Sequence, residues 1–403
     1  MIKYYTSTLT VLYLLLGCTK VDDDCRVNDY PNAPIIEWET GVSGSQEESH
    51  GHFILTCSDG GYLQVGETGV FPITAKILVV KTDSLGQLVW KKEFGSSGNN
   101  LGNSAIETAN GYIVCGAING NSALIKLDKS NGNQKFIQTI DNGGSDAFEN
   151  LINTPNGFIS VGYNNAEDKT NTFFTEGSGY ITFLDSSGTK TLGIGLDNYL
   201  AQAYRIVDYN NDYYISGLTE NANDYGLIKL DSQGNILWHS TYGGIASDHC
   251  FGMDIGEDGS IFLTGHTLSN TENWDTYTIK IDPFGNIIWE QVAGNPRGFN
   301  PKFIHDEAWD IKCLPDSGCI VIAGTGDEYR RYTRRCGNDG DNSNTWHIYL
   351  IKYDFDGNIE WQKTYGGGQN IDWAGEAIDL TSDGGAIIAF DNGEFGFVKI
   401  APF

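Results

Sequence analysis

The chain has 403 residues, with 25 Lys and Arg against 52 Asp and Glu, for a formal charge of −27 at neutral pH. A surface of that sign repels phosphate backbones and excludes nucleic acid as a partner. High Gly (51), low Pro (9) and abundant Tyr (21) and Phe (19) read as a strand-and-turn protein.

The N-terminus opens with Lys3 and a short apolar run, Leu9 to Leu16. That run is far below the roughly 20 residues that span a bilayer. It ends in Leu15-Leu16-Gly17-Cys18, which resembles a bacterial lipobox. The resemblance implies cleavage before Cys18 and lipidation of its thiol, with a firm membrane anchor as the result. Residues 1–17 are then a signal peptide, and 18–34 are the lipidated Cys with an acidic tether. Asp22-Asp23-Asp24 just behind Cys18 is similar to the surface-export signal of Bacteroidota lipoproteins. The implied address is the cell envelope, as an outer-membrane lipoprotein, with the periplasmic and the surface side both left open.

Beyond the tether one motif recurs, Lys-x-Asp-x-x-Gly-x-x-x-Trp. It stands at Lys81-Asp83-Gly86-Trp90, Lys229-Asp231-Gly234-Trp238, Lys280-Asp282-Gly285-Trp289 and Lys352-Asp354-Gly357-Trp361. Variants are Lys126-Asp128-Gly132-Phe136, a worn copy at Phe183-Asp185-Gly188-Leu192, and a truncated copy at Phe397 to Ile400. A period of about 50 residues signals a solenoid, propeller or array. Each unit reads as four strands. In residues 229–280, for example, Asp231 to Asn235 and Glu257-Asp258-Gly259 turn the chain between apolar runs. Four antiparallel strands per unit make a propeller blade. The expectation is an all-β, seven-bladed β-propeller over residues 35–403, with a capped linear stack as the alternative the pattern leaves open.

An open ring would leave a sheet edge unpaired. The last unit ends after its third strand, so the N-terminal strand at about 35–39 should close it by pairing with residues 396–401. Strand alternation puts the tight Asp-Gly turns on one face. It puts the long loops 67–76, 163–179, 266–276, 293–307 and 325–347 on the other, which is the expected ligand face. The repeated Trp38, Trp90, Trp238, Trp289 and Trp361 are expected to pack between blades.

An acidic residue recurs before the first strand of most blades, at Glu48, Asp146, Asp248, Asp306 and Asp372. A carboxylate ring would suit a cation or a sugar. Recurrence at one place in each unit better suits a side chain that caps the blade-linking turn. The insert 325–347 interrupts the repeat and carries Arg330, Arg331, Arg334 and Arg335, whose forked donors suit carboxylate or phosphate. Charge balance against Asp327, Glu328, Asp339 and Asp341 is the plainer account. Asp339, Asp341 and Ser343 offer oxygens at alternate positions, as calcium loops do, but lack the distal Glu. No resident cofactor is expected, and Ca2+ is the one metal the pattern admits. Trp274, Trp346 and Trp373, with Tyr329 and Tyr332, are candidate stacking residues on the long-loop face. Together with Asp306, Asp372 and the four Arg, Trp274, Trp346 and Trp373 form the candidate ligand set. His249, His305 and His347 fall near long loops, and sequence does not say whether they converge.

Setting Cys18 aside leaves seven Cys, an odd number, so one thiol at least is unpaired. Cys313 and Cys319 flank a turn and could bridge across a hairpin. Cys25 and Cys336 are the next pair. Cys115 reads as a small buried hydrophobe. No Cys-x-x-Cys spacing supports zinc. Nor is there a Gly-x-Ser-x-Gly, a His-Glu-x-x-His or a phosphate loop.

The whole unit looks like the repeat of Bacteroidota propeller lipoproteins, and its Asp-x-x-Gly-x-x-x-Trp core is similar to quinoprotein-like propellers. The resemblance implies a fold that hosts many functions. A monomeric, lipid-anchored binding or scaffold module for a glycan, peptide or envelope protein is the leading expectation, and it leans away from catalysis. A carbohydrate-active lyase or hydrolase on the long-loop face is the alternative. A quinone- or metal-dependent oxidoreductase is a further one.

Overall fold

The computed structural model describes residues 30–46, 48–166, 177–219, 224–298, 301–326, 346–366 and 372–403. Among these, 28 strands form seven four-stranded antiparallel sheets arranged as the blades of a propeller. A single 3-10 turn, Pro301–Phe303, interrupts them. The fold is therefore the all-β, seven-bladed propeller that the repeat predicts. No helix among the described residues is long and apolar enough to cross a membrane.

The inner strands of blades one to seven are Ser49–Thr56, Asn100–Thr108, Ser145–Thr154, Gln202–Tyr209, Asp248–Ile255, His305–Cys313 and Ala374–Leu380. Each touches the inner strand of the next blade around the whole ring, and blade seven touches blade one. Closure occurs as expected. Ile36–Val42 pairs antiparallel with Phe395–Ile400, from Ile36 opposite Ile400 to Val42 opposite Phe395.

The repeat motif is a docking device. The Gly of each Asp-x-x-Gly turn has positive φ and lies under an apolar side chain of the preceding blade. A Cβ at Gly86, Gly132, Gly188, Gly234, Gly285 or Gly357 would come within 2.5–3.4 Å of Trp38, Trp90, Phe136, Ile194, Trp238 or Trp289 respectively. The worn copy differs from its expectation: Ile194, not Leu192, fills the place, and Leu192 is exposed. Trp361 instead meets Phe403, because blade seven has no such turn. The Asp accepts turn N–H groups, as Asp83 does from Leu85 and Gln87 at 2.9 and 2.8 Å. The Lys folds back onto the first turn of its own blade, in the pairs Lys81–Asp59, Lys229–Asp212, Lys352–Asp316 and Lys399–Asp383 at 2.9–3.1 Å.

Cys313 and Cys319 stand directly opposite in the hairpin register, yet both thiols are free. The expected bridge is corrected here. Burial pushes both thiols well up. That disfavours the thiolate from which a disulfide forms. Cys115 is buried, as expected.

Candidate functional site

The inner strands share one irregularity. Each slips its register against the second strand of its blade at a matching place, between Gly51 and Phe53, Gly102 and Ser104, Phe148 and Asn150, Ala203 and Arg205, Cys250 and Gly252, Ala308 and Asp310, and Gly375 and Ala377, and blade three has a second shift between Ser145 and Ala147. The residues left over are His52, Asn103, Glu149, Tyr204, Phe251, Trp309 and Glu376. A β-bulge adds one unpaired residue and re-aims its side chain, and bulges gather next to functional sites. Here the bulge recurs in every blade, so seven side chains of six kinds form a ring around the channel.

The ring has two halves. Blades seven, one, two and three supply Glu376, His52, Asn103 and Glu149. Blades four, five and six supply Tyr204, Phe251 and Trp309, packed ring to ring at 5.0 and 4.6 Å. His249, His266 and Trp274 extend this aromatic arc, with His249–Trp274 at 4.7 Å and His266–Trp274 at 4.9 Å. Burial holds His266 neutral, well below the usual imidazole range, and His249 and His305 add to the effect.

The polar arc is dense in charge. His52 Nε2 lies 2.9 Å from both carboxylate oxygens of Glu67. Water reaches 37% of the His52 side chain although protein surrounds it, as a channel wall requires. Burial acts to lower its pKa, but Glu67 outweighs burial and pushes it up to about 9. Burial raises Glu376 to about 8, with His52 opposing and Asp391 assisting. Burial likewise raises Glu149 to about 7, against Arg205 and His52. Glu149 belongs to blade three and His52 to blade one, so the two communicate across the channel. His50 adds an ion pair with Asp391.

At the opposite end of the inner strands, carboxylates bind neighbouring blades together. Asp254 accepts the Cys313 N–H at 2.7 Å and Asp379 accepts the Thr56 N–H at 2.7 Å. Lys312 lies among Asp310, Asp379 and Asp254. These contacts fix the spacing of the ring above them.

The recurrent acids are turn caps. Asp146 accepts from Asn142 and Asn165 N–H at 2.6 and 3.0 Å, Asp248 from Gly244 at 2.6 Å, and Asp306 from Asn295 at 2.6 Å. Ser49 and Asn100 occupy the same place in blades one and two and accept from Gly44 and Asn119. Glu48 and Asp372 lie one residue earlier and are exposed. Asp306 is therefore not a free ligand group. It is fully buried, and its Oδ1 lacks a hydrogen-bond partner of good geometry. Burial first, then Asp275, raises it to about 7.

Trp373 is also displaced from its expected role. It is buried and stacks on Phe390 at 4.5 Å in the blade six–seven core, so no ligand reaches it. Asp372 accepts the Trp346 N–H at 2.8 Å, and Trp346 sits beside His305. Trp274 joins the aromatic arc. His249 and His305 converge near His266. Burial and then Arg297 lower His347 to about 4. Arg330, Arg331, Arg334 and Arg335 and the oxygen set Asp339, Asp341 and Ser343 lie outside the described residues. Sequence reasoning missed all seven ring residues, His52, Asn103, Glu149, Tyr204, Phe251, Trp309 and Glu376. The available signal was a fixed offset: each bulged residue stands three places after the cap position.

Solved structures share this architecture. A catalytically inactive virginiamycin B lyase from Staphylococcus aureus, determined with Quinupristin, superposes with TM-score 0.57 at 14% identity, over 90% of this chain and 99% of that one. The WD40 propeller domain of Doa1 gives 0.53 at 12%, over 91% and 96%. A quinohemoprotein alcohol dehydrogenase from Comamonas testosteroni gives 0.45 at 13%, over 93% and 69%. What the first two share with this chain is the propeller. No family model and no curated protein matches the sequence.

Proposed function

We propose that the protein is a lipid-anchored cell-envelope binding module whose ligand seats in the channel at the bulge ring, entering from the long-loop face. The observation that supports this reading is the ring itself. The bulge belongs to the repeat, since every blade has it, but the repeat does not require the divergent side chains that it aims at one height, and these support a ligand site. An arc of Tyr204, Phe251 and Trp309 faces an arc of Glu376, His52, Asn103 and Glu149. That chemistry suits a ligand with one apolar face and a hydroxyl- or amine-bearing edge, as a sugar ring or a short basic peptide has. Cys18 supplies the anchor in this reading.

Two measurements test it. Arrays of soluble glycans and peptides are probed with the wild-type chain and with Trp309→Ala and Glu149→Gln. A ligand retained by wild type and weakened about tenfold or more by either change supports the site, since one lost buried contact costs about 1.4 kcal/mol or more. Full retention by both variants removes it. Protease treatment of intact cells reports the side of the membrane.

A second reading, a carbohydrate-active lyase or hydrolase in the same channel, draws on one observation. His52 is held protonated by Glu67, while Glu376 is held up to about 8. A proton donor and a group titrating near neutrality then share one ring, as acid–base catalysis requires. Polysaccharide turnover abolished by His52→Gln would favour it.

A further inference from the structure

The turn tips between the third and fourth strands are not alike around the ring. In blades two, three and four they are polar: Ser130-Asn131, Ser186-Ser187 and Ser232-Gln233. In blades one, five and six they carry exposed apolar side chains, with the Phe355 ring under Lys280 Nζ at 3.9 Å. Leu85 is 68% exposed, Phe284 82% and Phe355 54%. Leu88 and Val89 continue the surface in blade one, and Ile287 and Ile288 do so in blade five; Leu237 of blade four is exposed at the matching place, so it is the turn tips that set the arc apart. Blade seven lies between blades six and one and completes the arc. It has no such turn, but Ile35 at its entry is 66% exposed.

The chain enters the ring inside this arc. The carbonyl of Pro34 accepts from Lys363 Nζ at 3.1 Å and from Tyr365 Oη at 2.8 Å, which pins the entry between blades six and seven. The apolar tips therefore flank the point where the tether from Cys18 meets the propeller.

We propose that this arc of the tight-turn rim docks on the surface of a lipid bilayer, with Phe284, Phe355, Leu85 and Ile35 inserted at the headgroup level. The proposal rests on the lipid-anchor reading above. Tyr30, Ala33 and Pro34 are docked on the propeller, so at most residues 18–29 leash the chain to the bilayer, and 12 residues, which reach about 40 Å when extended, are still too long to orient it. Apolar tips held near a membrane by one leash gain from the high effective concentration. Aromatic and aliphatic tips partition into the interface. The same face carries Asp83, Asp282, Asp354 and Asp356, and the whole chain is acidic. The bilayer it fits is thus zwitterionic rather than anionic. Docked this way, the long-loop face and its channel point away from the membrane and stay open to ligand.

The test is hydrogen–deuterium exchange on the full lipidated chain in phosphatidylcholine vesicles, with each turn compared to itself in the Cys18→Ser chain. Turns 83–86, 282–285 and 354–357 should exchange about threefold or more slowly, while turns 129–132, 185–188 and 231–234 stay unchanged. The double variant Phe284→Ser, Phe355→Ser should erase the difference while leaving the lipid attached. Phosphatidylglycerol vesicles should protect less. Equal exchange at all six turns on a chain whose N-terminal peptide carries lipid by mass overturns the docking and leaves the anchor intact. An unmodified Cys18 by mass overturns both.

Discussion

Trp90 of blade one lies against Gly132 of blade two, and a Cβ on Gly132 would sit 2.5 Å from Trp90 Cε3. The Trp indole N–H also reaches the Lys129 carbonyl at 3.4 Å. One residue of the motif thus makes room for another residue of the preceding copy, so the repeat encodes the interface between blades as well as the blade.

Removing either partner should loosen two blades together. Trp90→Ala leaves a buried cavity and should cost about 3–5 kcal/mol. Gly132→Ala adds a clash at a positive φ and should cost about 1–3 kcal/mol. Urea denaturation measures both, and losses well below 1 kcal/mol in each would show that this contact does not hold the ring.

Deleting residues 36–42 removes the strand that covers Phe395–Ile400. The exposed edge is apolar and fully buried in the native ring. Such edges pair with other chains. The truncated chain should elute as aggregate in size-exclusion chromatography, whereas a monodisperse peak with unchanged melting would refute the role of closure.

Stability should fall as pH rises from about 5 to about 9. Burial holds Glu376 up to about 8, above the unfolded value of 4.5. The folded chain then binds more protons than the unfolded one between those values, and stability declines through that window. His52 acts in the same direction. The contribution from its raised pKa is complete below 6.5 and disappears as pH passes about 9. Glu376→Gln should flatten the profile and raise Tm at pH 8 by about a few degrees. A wild-type Tm that climbs toward pH 8 would contradict the assignment.

Asp306→Asn should separate capping from charge. Asn keeps an oxygen for the Asn295 N–H but removes an ionisable group that burial and Asp275 hold at about 7. Near pH 4 the variant should match wild type, and its advantage should grow through about pH 7, so that near pH 8 it is more stable by on the order of 1 kcal/mol or more. A loss at both pH values would mean that the carboxylate is needed in its charged form.

Alkylation in denaturant without reductant should label both Cys313 and Cys319. Cys319 is buried and Cys313 half-buried, and burial holds both thiols well above the usual range, so native labelling should be slow. A mass two hydrogens short on the peptide that spans them would reveal a bridge.

How much could be read without the fold varies by residue. The blade count, the closing strand and the packing role of the Trp series follow from local chemistry: an Asp-x-x-Gly turn, flanking apolar runs and a fixed period. Ile194 replacing Leu192 could not be read, because both are aliphatic and only the neighbouring turn selects between them. The turn caps were legible as a class, but Glu48 and Asp372 fell one residue out of register. A one-residue slip moves a side chain to the other face of a strand, and only the pairing fixes it.

The sequence by itself determined the repeat, its four strands per blade and the face that carries the long loops, since all three depend on contacts close in the chain. Only the tertiary structure decided which residues meet in the channel. His52, Glu149 and Glu376 come from blades one, three and seven. Their proximity arises from ring closure, which brings together side chains hundreds of residues apart that no local pattern links. The bulges that place them are register shifts between paired strands, and a register exists only once two strands have paired.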